Sequence, residues 1–177
     1  MTARCGLLLA LLGLGACGDQ VVHIRLESGA DPGCQDSELP VMQTWIVKAQ
    51  LHIGSPPTGP TWNACVETAE SVWRLKDLEG KFRYERKVFD NVPSEAPWRL
   101  VIAGYPRETA DHPDYPNGED TCDRPRTQAA VLCGMTTGSA FPPGNQLTIP
   151  IDCMPRLPGD YTKKIKDLLK SCASNLE

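Results

Sequence analysis

The chain has 177 residues, with 22 acidic against 18 basic side chains and a formal net charge of −4. This length suits one folded domain with a sizeable core. A net acidic chain without a basic stripe argues against nucleic acid as a partner.

The first 16 residues have the pattern of an export signal. Arg4 supplies one positive charge, and a leucine-rich run follows that is too short to span a bilayer, which takes about 20 apolar residues. The run ends in Leu14-Gly15-Ala16-Cys17, which resembles the lipobox of bacterial lipoproteins. An ordinary secretory signal that is cut after Ala16 is the alternative interpretation.

The lipobox resemblance implies a division of the chain. Residues 1–16 are then a signal peptide, Cys17 carries the lipid, residues 17–20 form a short tether and residues 21–177 form the domain. Two or three acyl chains on Cys17 anchor the protein in a membrane, because each buried CH₂ contributes about 0.8 kcal/mol. Gly18 stands where an aspartate would favour inner-membrane retention, so we expect an outer-membrane lipoprotein of the cell envelope.

Six cysteines remain once Cys5 leaves with the signal and Cys17 takes lipid. An even number of cysteines in an exported chain indicates disulfides. Fifteen pairings are possible, and we prefer the sequence-local set Cys34–Cys65, Cys122–Cys133 and Cys153–Cys172. A metal site is disfavoured, since there is no C-x-x-C pair and no histidine near two cysteines. We predict no metal ion and no other cofactor.

Alternating hydrophobicity predicts several strands. Residues 21–27 alternate, and residues 41–53 form the cleanest element, a long strand with one inward face. That face consists of Trp45, Val47, Ala49, Leu51 and Ile53. Residues 62–78 are less regular, with short strands around 64–66 and 72–75. Residues 81–88 alternate again and are predicted to form another strand.

The segment Phe89-Asp90-Asn91-Val92-Pro93, with the strand 98–104 that follows, carries a second resemblance. It is similar to the proline-turn hairpin of transthyretin-like and related Ig-like β-sandwiches. The later strands, 129–134 and 146–152, are similar to the end of a class of Gram-negative lipoprotein sandwiches. Pro150 lacks the N–H of a ladder bond, so we expect an edge strand or a bulge there.

The tail changes to helical periodicity. Ile165, Leu168, Leu169 and Cys172 stand at i, i+3, i+4 and i+7, which predicts an amphipathic helix near 160–173 with Asp160 as its N-cap. The predicted fold is mainly β. It is an Ig-like or transthyretin-like antiparallel β-sandwich of about seven strands, with a short C-terminal helix, stabilised by disulfides.

No motif of a catalytic site is present. G-x-S-x-G, H-E-x-x-H, a P-loop and G-x-G-x-x-G are all absent. His23 and His52 fall on outward strand faces and are predicted to be solvated surface residues. We therefore predict a protein that is not an enzyme. A cell-wall hydrolase would need Asp111 and Asp120 to converge on a cleft.

Residues 108–123, hereafter the acidic segment, form the clearest candidate for ligand binding. An EF-hand alignment on Gly118 places Pro113 and Tyr115 at ligand positions, so that calcium motif fails. A solvated surface loop is the simplest interpretation, and a cation or ligand site is the alternative. The candidate ligand residues are Asp111, Asp114, Asn117, Glu119, Asp120 and Asp123.

Exposed aromatic side chains suggest a glycan contact. Trp62 lies in a proline-rich stretch and is predicted to be exposed, with Tyr115 as its companion. The sequence thus favours a non-enzymatic envelope lipoprotein that binds an envelope protein or a glycan. The alternative is a cation- or glycan-binding module that uses the acidic segment and the exposed aromatics.

Overall fold

The computed structural model describes residues 20–29, 38–43, 45–54, 59–68, 72–84, 89–94, 97–107, 121–123 and 130–153. These residues form nine strands and one α-helix. In chain order they are β1 (Gln20–Ser28), β2 (Glu38–Gln43), β3 (Trp45–Ile53), β4 (Thr61–Glu67), β5 (Val72–Arg74), α1 (Leu75–Tyr84), β6 (Phe89–Val92), β7 (Trp98–Pro106), β8 (Leu132–Gly138) and β9 (Gln146–Cys153).

Seven strands form one sheet in the order β4-β3-β7-β8-β9-β1-β6, and β2 pairs separately with β5. The two edge strands, β4 and β6, contact each other, so the sheet nearly closes into a barrel. The mainly β prediction is confirmed. The sheet is mixed rather than antiparallel throughout, because β1 and β9 run parallel. They come from distant parts of the chain, so no tight turn imposes antiparallel pairing on them.

Strand β3 confirms the predicted inward face and corrects two other expectations. All five predicted inward residues lie in the hydrophobic core. The predicted strand 41–53 is divided, since residues 38–43 belong to β2.

The opposite face of β3 is also largely buried, with His52 only 8% exposed and its ring beside the Thr61 hydroxyl at 3.3 Å. The prediction of a solvated His52 is therefore wrong, whereas His23 is exposed as predicted.

The strand predicted over residues 81–88 is wrong for its first half, which belongs to helix α1. Leu75, Leu78 and Phe82 lie at i, i+3 and i+7 and are all buried in the core. Asp77 lies in the first turn and Arg83 in the last, and both charges complement the helix dipole. Helical packing of the three apolar residues overrides the local alternation around Phe82.

Pro150 does not lie on an edge strand, because β9 runs between β8 and β1. In the β8–β9 ladder, Leu132 pairs with Cys153 and Cys133 pairs with Asp152. The paired register stops before it reaches Pro150. Gly134 lies close to the Pro150 carbonyl at this point. Pro150 therefore lacks its N–H at a point where the β8–β9 ladder is interrupted, and not on a free edge of the sheet.

The disulfides differ from the sequence-local set. Cys65 is bonded to Cys122, 57 residues away, with the Cα atoms 6.0 Å apart. The predicted pairs Cys34–Cys65 and Cys122–Cys133 are therefore wrong. Closeness along the chain does not decide the pairing, because β4 is an edge strand and the chain returns to it at residues 121–123.

Cys133 and Cys153 are also disulfide-bonded, so all four described cysteines are oxidised. Cys172 lies outside the described residues, and Cys153–Cys172 stays a prediction. The signal 1–16, Cys17 and the helix near 160–173 also lie outside them. Within the described part of the chain, no helix has the length and apolar character needed to cross a membrane.

Candidate binding site at the end of strand β4

The structure describes few of the predicted site residues. Asp123 is exposed, whereas Asp111, Asp114, Asn117, Glu119, Asp120 and Tyr115 lie outside the described residues. Trp62 is partly buried and packs against the core, so the expectation of an exposed aromatic platform is wrong for this residue. Its position next to Leu51 in the β3–β4 register directs it to the core side of the sheet.

The residue before the acidic segment and the backbone near its end both contact one side chain, Glu67, at the end of β4. The backbone N–H of Cys122 donates a hydrogen bond to Glu67 Oε1 at 2.8 Å. On the other side, Arg107 Nη2 lies 3.9 Å from Glu67 Oε2. Arg107 is the residue immediately before the acidic segment, so the carboxylate of Glu67 bridges the point of departure and the point of return.

Two further bonds hold the chain at the base of the acidic segment, the place where it departs from strand β7 and returns to strand β4. Arg107 Nη1 donates to the carbonyl oxygen of Thr68 at 3.2 Å, and the Cys65–Cys122 disulfide ties the returning chain to β4. The Arg107 side chain is only 14% exposed. Partial burial makes such a charge-assisted contact stronger than an exposed ion pair.

Thr68, directly after β4, is itself hydrogen-bonded to the first residue of strand β3. Its backbone N–H donates to the Trp45 carbonyl at 2.9 Å, and its hydroxyl accepts the Trp45 N–H at 2.6 Å. Thr68 is fully buried, and Trp45 begins strand β3. The base of the acidic segment is therefore attached to the sheet core rather than to another loop.

The acidic segment carries one sign of charge. It contains six carboxylates and no lysine or arginine. Long connections in compact domains are often binding loops, and like charges held together create a local negative potential. The sequence revealed the charge of this segment but not its attachment, because Glu67 and Arg107 belong to no recognisable motif.

The described residues hold no metal-binding cluster. No group of three or more His, Cys, Asp or Glu side chains there is placed to hold a metal ion. No known protein family, curated protein or solved structure matches the chain.

Proposed function

We propose that this protein is a non-enzymatic binding module of the cell envelope, tethered by lipid on Cys17, that presents the acidic segment to a partner with a positively charged surface. The observation that carries the proposal is the convergence on Glu67 of Arg107, directly before that segment, and of Cys122, near its end. Fixed ends lower the conformational entropy that a loop loses on binding.

Electrostatics favours a basic partner. The acidic segment has six carboxylates and no lysine or arginine in 16 residues, and like charges so close along the chain favour a basic partner. Complementary charge also raises association rates and disfavours acidic competitors. Binding of this kind weakens as salt increases, because the charges are solvated.

The oxidised cysteines support the envelope location. All four described cysteines are oxidised, which is typical of exported proteins. Strand β1 begins three residues after Cys17, so the tether reaches at most about 10 Å. The finer fold is part of the same proposal: we infer that the seven-stranded sheet folds onto itself as an Ig-like or transthyretin-like sandwich.

The partner is tested with immobilised full chain and envelope extracts. We compare the wild type with Asp111→Asn/Asp114→Asn and with a matched control, Asp77→Asn/Asp90→Asn, which neutralises two exposed acids elsewhere. A basic partner should be retained by the wild type and the control, be reduced with the loop variant and elute in high salt. Equal retention by all three proteins would refute this role. A loss of partner retention that does not depend on salt, and that added calcium reverses, would assign the segment to cation binding instead.

The anchor is tested by expressing the full chain in a Gram-negative host with labelled palmitate. We expect label on the wild type, none on Cys17→Ser, and unchanged labelling on the control Cys5→Ser. Mass spectrometry should find the mature chain beginning at a modified Cys17. An unmodified thiol at residue 17, or label that survives Cys17→Ser, contradicts the tether.

A further inference from the structure

A groove of about 550 Å³ lies between helix α1 and the second half of strand β1. Its charged lining consists of three cations and two carboxylates. The cations are Arg25, Lys76 and Arg83, and the carboxylates are Glu27 and Glu79. A volume of this size is typical of small-molecule sites.

Both carboxylate oxygens of Glu79 are engaged, one with strand β1 and the other within helix α1. Its Oε2 accepts the backbone N–H of Leu26 at 2.9 Å, and its Oε1 accepts Arg83 Nη2 at 3.2 Å. The Glu79 side chain is only 16% exposed. The bond to Leu26 fixes the helix against the strand, so the groove is formed before any ligand binds.

Glu27 is also engaged, by Arg25 at 3.1 Å. Both of these side chains are about half exposed, and exposed pairs of this kind exchange partners at little cost. Arg83 also lines the groove, and because its side chain is 70% exposed its pair with Glu79 is exchanged at little cost. The two arginines are therefore available to a ligand that offers a stronger acceptor.

Lys76 is the groove cation without a carboxylate partner among the described residues. It is exposed, and Glu79, one turn along the helix, is occupied by Leu26 and Arg83. Lys76 also lies in the first turn of α1, where the positive end of the helix dipole disfavours a cation. A bound anion would relieve both unfavourable interactions.

We propose that this groove binds a phosphate group, with Lys76 as the principal contact and Arg25 and Arg83 closing on its oxygens. Guanidinium groups match phosphate geometry through paired hydrogen bonds, and an ammonium supplies the central charge. The phosphate belongs either to a soluble phosphate ester or to a phospholipid headgroup. None of the residues that hold the acidic segment lines this groove, so the inference is independent of the proposed function.

The test is a titration of the full chain in zwitterionic detergent, in which changes in amide chemical shifts report binding of each probe. Inorganic phosphate and glycerol 3-phosphate are the soluble probes, and phosphatidylglycerol against phosphatidylcholine in mixed micelles is the lipid pair. We expect shifts at Leu26 and Lys76. Response to the soluble probes identifies a free ester as the source, and response to phosphatidylglycerol alone identifies a headgroup.

Variants decide whether the groove is the site. Lys76→Ala should weaken binding about tenfold, the factor that corresponds to about 1.4 kcal/mol. The control Lys81→Ala lies on the same helix away from the groove lining and should leave binding unchanged. Glu27→Gln frees Arg25 and should strengthen binding. Equal loss with both lysine variants, or no shift with any probe, overturns the proposal.

Discussion

Gly134 in β8 is tightly packed on the side where a Cβ would lie, whereas Gly80 in α1 faces open space. A Cβ at residue 134 would lie 2.4 Å from the Pro150 carbonyl oxygen and 2.7 Å from Ile151 Cδ1. A Cβ at residue 80 would meet nothing within 4 Å. Gly134 is thus required by the close approach of two strands, whereas Gly80 only adds backbone freedom to a helix.

The two glycines should respond oppositely to alanine. We expect Gly134→Ala to lower the free energy of unfolding by about 1–3 kcal/mol, because the backbone oxygen cannot move aside without disturbing β9. Gly80→Ala should raise it by about 0.5–1 kcal/mol through helix propensity. Urea unfolding followed by tryptophan fluorescence measures both. Equal midpoints for the two variants would contradict the packing at residue 134.

Among the elements, helix α1 and strand β1 are joined by a hydrogen bond from the Leu26 N–H to the Glu79 carboxylate. Glu79 borders the buried face of the helix, which Leu75, Leu78 and Phe82 pack into the core. The helix could have been predicted from the spacing of these three residues. The polar–apolar alternation of residues 81–88 concealed it, since a short window satisfies both periods.

Glu79→Ala should destabilise the protein by about 1–3 kcal/mol, because it leaves a largely buried backbone N–H without its acceptor. Glu79→Gln keeps an acceptor oxygen and should recover part of that loss. The control Asp77→Ala changes an exposed acid on the same helix and should cost only about 0.3–1 kcal/mol, the contribution of its charge beside the helix dipole. Thermal unfolding by circular dichroism and hydrogen exchange at Leu26 measure the effect. Unchanged exchange at Leu26 in Glu79→Ala would exclude the bond.

For the molecule as a whole, the Cys65–Cys122 disulfide connects distant parts of the chain. It joins edge strand β4 to the return of the acidic segment across a separation of 57 residues. Cross-links that close long loops restrict the unfolded chain most in the chain-entropy description.

Removal of this bond in Cys65→Ala/Cys122→Ala should cost about 4 kcal/mol from the loop-closure estimate. Guanidinium unfolding under non-reducing conditions measures the loss. Peptide mapping without reduction should recover residues 65 and 122 in one linked pair. A linked peptide that joins Cys34 to Cys65 would contradict the structure.

The sequence by itself determined the mainly β character, the inward face of β3 and the charge of the acidic segment, because each follows from the order of side chains along a short stretch. The lipid anchor on Cys17 is a prediction of the same local kind. Only the tertiary structure decided the partner of Cys65, the parallel pairing of β1 with β9, the burial of His52 and the convergence of Arg107 and Cys122 on Glu67. These features join residues far apart in the chain, and the closing of the sheet, not local periodicity, brings them within bonding distance.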